Sequence, residues 1–244
     1  MNKIKLSLVA ALLAGTTTLS ADFASDVEVS ANVAMTSNYI WRGMTQSSNS
    51  PAIQGGVDLG YKGAYLGVWG SNVDFGSSAG GYNPVSAEFD IYLGYANSIA
   101  DFSYDAGLIQ YMYPSATDES NFAEAYVTLG YDFGVASVSA MYALGIDTNS
   151  VTNEAANGWE PGDTIEFGVS VPLPAEITLD ATYGMMDDSG TLNQPTNSLG
   201  DYYLVSASKS FGKFDFTLAY TGMDYDAAAS KDQDNVVLTV GTSF

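Results

Sequence analysis

A Leu-Gly-Tyr triplet returns three times at near-constant spacing, as Leu59-Gly60-Tyr61, Leu93-Gly94-Tyr95 and Leu129-Gly130-Tyr131. Each closes a stretch in which apolar side chains alternate with small or polar ones. Each is followed by a very short connection and a second alternating stretch. Period two belongs to a strand whose two faces meet different surroundings. The repeating unit is therefore an antiparallel hairpin, short-turned at one end and joined to the next by a long loop at the other. That asymmetry is how a transmembrane β-barrel is built.

Followed along the chain, the alternation predicts about 12 strands of membrane-spanning length. The first runs near Val27–Thr36, the second near Ala52–Tyr61, the third over about Ala64–Val73, and the last ends at Phe244. The predicted short connections are Lys62-Gly63, Ala96–Ala100, Asp132–Gly134, Pro172–Ala175 and Gly212-Lys213. They alternate with long segments rich in Gly, Ser, Asn, Asp and Pro, as exposed loops are. Both termini then fall on the short-turn side, which is periplasmic in bacterial barrels. The expected fold is all-β: a single antiparallel transmembrane β-barrel with short periplasmic turns and long extracellular loops. Aromatic residues are expected to band both ends. Tyr61, Tyr95, Tyr131, Phe133, Phe211, Phe214 and Phe244 fall at the short-turn ends. Tyr39, Trp41, Phe75, Tyr111, Tyr113, Tyr183 and Tyr202 fall toward the loops.

The first residues combine a basic start at Lys3 and Lys5, an apolar run from Leu6 to Ala14, and small residues ending at Ala21. Such a segment reads as a secretory signal peptide, 1–21, with Ser20 the alternative last residue, and leaves the barrel as 22–244. The apolar run is too short to span a bilayer as a helix. Mean hydropathy is +0.04, which a barrel accommodates because only alternate side chains meet lipid. The expected location is the bacterial outer membrane, with membrane lipid and lipopolysaccharide as neighbours and a monomer as the assembly.

Charge and missing residue types narrow the chemistry. The chain has 28 acidic and 7 basic residues. Losing Lys3 and Lys5 with the signal leaves 28 against 5, a net charge of −23. Nucleic acid is therefore not an expected partner, since it needs a basic footprint. The chain has no cysteine and no histidine, so disulfides, thiolate metal sites and Ser-His or Cys-His catalysis are absent. No enzyme activity, cofactor or dedicated metal site is expected. The loop acids Asp224, Asp226, Asp232 and Asp234 lack the spacing and turn glycine of a calcium loop.

The region from Asn32 to Phe75 is more specific. Thr36-Ser37-Asn38-Tyr39-Ile40-Trp41-Arg42-Gly43, Gln46-Ser47, Pro51-Ala52-Ile53-Gln54-Gly55-Gly56 and Gly67-Val68-Trp69-Gly70-Ser71-Asn72-Val73-Asp74-Phe75 resemble the TorF-type porin family. That resemblance implies an outer-membrane barrel with a channel role. It supplies no substrate and no catalytic residue.

The outward parity of the strands fixes the inward one. It turns Asp58, Glu88, Asp90, Asp105, Glu124, Glu166, Asp180 and Asp215 toward the lumen, with Arg42 in the first long loop the nearest base. Carboxylates lining a pore favour cations. These nine residues are the pore-lining candidates of a passive channel for small polar or cationic solutes. The competing explanation is that the acids are only hydrated, or bonded to Tyr. The alternative function is a closed barrel acting through its surface loops, structurally or in adhesion. A first loop folded inward would act as a plug, with Arg42 expected to meet acids such as Asp58 or Asp90.

Overall fold

A computed structural model of the chain describes residues 17–18, 27–75, 85–114, 121–146, 162–187, 198–226 and 232–244. Twelve long strands make one antiparallel sheet: β1 (Val27–Thr36), β2 (Ala52–Tyr61), β3 (Ala64–Asn72), β4 (Ala87–Ile99), β5 (Phe102–Met112), β6 (Phe122–Asp132), β7 (Ser137–Ile146), β8 (Thr164–Leu173), β9 (Ile177–Asp187), β10 (Ser198–Phe211), β11 (Phe214–Tyr225) and β12 (Gln233–Ser243). Each pairs with its neighbour in sequence, and β12 returns to β1 through Thr239 opposite Thr36 to Ser243 opposite Asn32. Reciprocal backbone bonds between Phe244 and Ala31, at 2.8 and 3.2 Å, extend that seam to the last residue. The sheet is thus a closed barrel, which leaves no strand edge to be satisfied in hydrocarbon.

Thr17–Thr18 pair with Glu28 and Val29, on the stretch of β1 beyond the reach of β12. The rest of the expected signal segment lies outside the described residues, as does much of each long loop after the first.

The turns explain themselves from the residues present. Lys62 and Gly63 both have positive φ, 49° and 94°, between the paired Tyr61 and Ala64. That is the two-residue connection whose twist matches flanking strands. Gly212, at φ 65°, opens the equivalent Gly212-Lys213 turn. One expected connection is shorter than its sequence suggests. β4 continues through Ala96–Ile99, and only Ala100 and Asp101 turn, with Ala100 at φ 54°. Ladder pairing to Phe102–Asp105 on β5 holds this segment extended. Pro172 likewise lies within β8, so the turn there is 174–176.

The outer face carries the expected apolar set, among them Met35, Ile53, Val68, Leu93, Leu129, Val169 and Leu238, all exposed at a surface that lipid would cover. The short-turn aromatic band is outward as expected. The loop-end band is outward only at Phe75 and Tyr183. Tyr39, Tyr111, Tyr113 and Tyr202 are buried inside the barrel, and Trp41 packs with them. Tyr111 and Tyr202 stand at inward positions of their strands, and Tyr39 and Trp41 belong to a loop that enters the barrel. The outward aromatic side chains at this end include Tyr142, Tyr183 and Tyr220, with hydroxyls donating to Asp163, Asp201 and Asp234 respectively.

Candidate functional site

The first loop, 37–51, folds back on itself as a small hairpin, Ile40–Trp41 against Met44–Thr45. Arg42 and Gly43 make its tip with φ of 47° and 78°. The tip presses so closely on Gly222 of β11 that a side chain at position 43 would collide with the Gly222 carbonyl. Trp41 reaches both internal apolar clusters. On one wall it packs edge-on to Tyr111, with ring centres 6.0 Å apart, and beside Phe122. On the other it borders Met186, Tyr202 and Met223, where Met44 also packs. The loop therefore crosses the lumen at the long-loop end, from β5 and β6 to β9, β10 and β11.

Arg42 fixes it there. Its guanidinium grips Glu124 of β6 with two bonds, Nη1 to Oε1 at 2.6 Å and Nη2 to Oε2 at 2.9 Å. It also stacks 4.4 Å from the centre of the Trp41 ring. The Tyr111 hydroxyl donates to Glu124 Oε2 at 3.1 Å. A forked, charge-assisted pair is the strong form of this interaction. Burial opposes the Arg42 charge, but Glu124, backed by Tyr111 and Tyr202, outweighs it and raises the pKa above the ordinary arginine value. The plug expected from the sequence thus forms, with Glu124 as its partner rather than Asp58 or Asp90. Asp58 stands lower in the barrel, bonded to Tyr92. The hairpin is further tied by Tyr39 Oη donating to Glu88 Oε1 at 2.6 Å and by Thr45 N donating to Gln233 Oε1 at 3.1 Å.

The remaining candidates line the wall. Asp58 of β2 accepts from Tyr92 of β4, whose ring lies across Gly67 of the strand between them. A Cβ at Gly67 would collide with that ring, so the glycine makes the bond possible. Glu166 of β8, Gly184 of β9 and Tyr202 of β10 repeat the arrangement, with Tyr202 Oη donating to Glu166 Oε2 at 2.6 Å. Tyr65 of β3 and Tyr126 of β6 lie over Gly94 and Gly107 and meet hydroxyl to hydroxyl, while Tyr65 Oη donates to Asp105 Oδ1 at 2.7 Å. Glu88 and Asp90 are buried on β4, and Asp180 is half-buried on β9. Asp215 sits near the short-turn end of β11 and accepts from Ser210 Oγ.

Bonding to Tyr, the competing explanation for these acids, is found at Asp58, Asp105 and Glu166; sequence parity identified the acids but not which tyrosines serve them. Their signal is a glycine on the intervening strand, visible only once the register is known. Among the described residues, Asp58 Oδ2, Asp90 Oδ1, Glu166 Oε1 and Asp180 Oδ1 are buried without a hydrogen-bond partner. No group of three or more Asp, Glu, His or Cys side chains among the described residues is placed to hold a metal ion. The described bases other than Arg42 stand at the short-turn end, with Lys62 over the Tyr61 ring, Lys209 over Phe211, and Lys213 in its turn. The described lumen is therefore acidic, with its one guanidinium neutralised by Glu124.

Comparison with known proteins adds the following. Residues 20–244 match a family described as "Bacterial protein of unknown function (Gcw_chp)". No curated protein matches the sequence. Among solved structures, the NanC porin is similar at a TM-score of 0.55 and 9% identity, covering 88% of this chain and 98% of that one. The KdgM porin, solved with disordered oligogalacturonate, is similar at 0.54 and 11% identity, covering 88% and 97%. The COG4313 outer membrane channel from Pseudomonas putida F1 is similar at 0.50 and 11% identity, covering 88% and 94%. The shared property is the fold, a closed antiparallel β-barrel like those of outer-membrane porins.

Proposed function

We infer that this chain, which belongs to the Gcw_chp family of bacterial proteins of unknown function, is a porin-like passive channel of the outer membrane. It passes small polar solutes and prefers cations. The observation that carries this reading is the inward wall of carboxylates, Asp58, Asp90, Asp105, Glu166 and Asp180, set against one described lumenal base already paired with Glu124. Fixed negative charge in a narrow passage raises the local cation concentration and excludes anions. The likeness to porins supports the channel class and says nothing of the solute. An acidic sugar chain such as the oligogalacturonate in the KdgM complex would be repelled here.

The reading includes export through a signal peptide removed after Ala21, a monomeric barrel surrounded by lipid and lipopolysaccharide, and no catalytic activity. It also includes the finer TorF-type kinship suggested by the motifs from Thr36 to Phe75. Arg42, with the loop it anchors, narrows the extracellular mouth. Planar-bilayer recording of the purified protein across a KCl gradient tests the reading. The expected result is a small conductance with a reversal potential favouring potassium. A potential favouring chloride overturns the selectivity, and silence in the bilayer overturns the channel.

One observation favours the second reading, a closed barrel working through its loops. Trp41 bridges both apolar clusters, so the hairpin spans the mouth. Silence that persists after Arg42→Ala would favour it.

A further inference from the structure

The wall formed by β2 to β6 below the first loop has a composition the channel reading does not require. Tyr92, Tyr65 and Tyr126 lie across Gly67, Gly94 and Gly107 and are half-buried. The Tyr65 and Tyr92 ring centres are 6.5 Å apart. Their hydroxyls are turned to carboxylates, Tyr92 to Asp58 and Tyr65 to Asp105. The result is an aromatic pavement edged with negative charge. Two carboxylate oxygens beside it, Asp58 Oδ2 and Asp90 Oδ1, are buried and have no hydrogen-bond partner among the described residues, on residues only 7% and 5% exposed. An unpartnered buried carboxylate oxygen is costly unless a cation or donor meets it.

The spacing of the charges selects the kind of cation. No three acids converge to hold a metal ion among the described residues. The acids instead stand at successive levels along the barrel. Asp58 is level with Tyr92 through Gly67. Asp90 is two residues above that level, about 7 Å at the rise of a strand. Asp105 is level with Ala96, four residues below Tyr92 and about 13 Å lower. A ligand that satisfies them is long, slim and charged at intervals, with an apolar body to lie on aromatic faces. Ammonium groups are attracted to such faces as well as to carboxylates.

We propose that this wall is a binding site for linear di- and polyamines, whose ammonium groups pair with Asp58 and Asp90 while the methylene segment between them lies on Tyr92. The site rests on the proposed cation-preferring lumen and names the solute class that the lumen retains. Binding there makes the channel a selective path for alkylamines rather than a general cation leak.

Titration calorimetry of the full barrel in detergent, with spermidine as the probe, tests this without any current. The expected result is saturable binding that weakens at least tenfold in the double variant Asp58→Asn/Asp90→Asn and is unchanged in Asp101→Asn, at a turn outside the lumen. Asp90→Asn alone, isosteric and at a carboxylate oxygen with no partner to lose, weakens binding severalfold and serves if the double variant does not fold. Heat-modified migration on a denaturing gel reports folding of each. Absence of saturable binding, or binding undiminished in the Asn variants, overturns the site. A barrel that conducts potassium without binding spermidine refutes this site alone, and one that binds spermidine without conducting refutes the channel alone.

Discussion

Arg42 and Glu124 are 82 residues apart and meet in a forked pair, 2.6 and 2.9 Å, inside the long-loop mouth of the barrel. Both side chains are almost wholly buried. A buried pair is weak evidence of net stabilisation, but removing one partner strands the other charge. The pair is best understood as a latch that fixes where the first loop sits.

Arg42→Ala frees that loop and leaves Glu124 buried without its partner. Single-channel conductance rises severalfold, and the barrel loses about 3–5 kcal/mol of stability. Arg42→Met with Glu124→Gln recovers much of the stability while keeping the raised conductance, because no isolated charge remains. Unchanged conductance in Arg42→Ala would take the residue out of the constriction.

Gly67→Ala sets a methyl against the Tyr92 ring and the Asp58 carboxylate. A closed wall cannot yield freely, so overpacking of this kind costs about 1–3 kcal/mol. Adding Tyr92→Ser removes the ring and frees the Asp58 carboxylate from its bond to Tyr92, so Gly67→Ala costs less on that background. Urea unfolding in detergent measures both. Equal effects on the two backgrounds would show that the ring does not depend on the missing side chain.

Neutralising the wall changes selectivity more than size. Asp105→Asn with Asp180→Asn, both inward and away from the plug, moves the reversal potential in a KCl gradient toward zero. The conductance in symmetric salt changes by less than twofold. A potential that stays at the wild-type value would mean that these acids do not face the permeating ions.

The outward parity makes a separate prediction. Leu129 is 45% exposed on β6, beside inward-facing Thr128. Leu129→Arg places a charge against acyl chains and costs up to about 2–4 kcal/mol at mid-membrane depth. Thr128→Ser, on the lumen side, leaves folding into lipid vesicles unaffected. Equal folding yields for the two variants would contradict a lipid-facing Leu129.

Much of this architecture is legible in the residues. Leu59, Leu93 and Leu129 each lie two residues from an outward Tyr, and that period of two is set by neighbours along one strand. The Lys62-Gly63 and Gly212-Lys213 turns are equally local, since positive φ is demanded within the turn itself. The same parity turns Glu124 and Glu166 inward. It could not tell a girdle tyrosine from an interior one at the loop end, where Tyr39 and Trp41 follow a loop rather than a strand.

What the chain determined by itself is therefore the strand pattern, the side each strand residue faces and the closure of the sheet. Each follows from contacts between residues a few positions apart, or from the rule that a barrel in lipid leaves no edge unpaired. Tertiary structure alone decided that Trp41 spans the mouth, that Arg42 chooses Glu124, and that Tyr92 crosses Gly67 to Asp58. Those choices depend on the register between strands and on the space left above it, and neither quantity is written in any single segment.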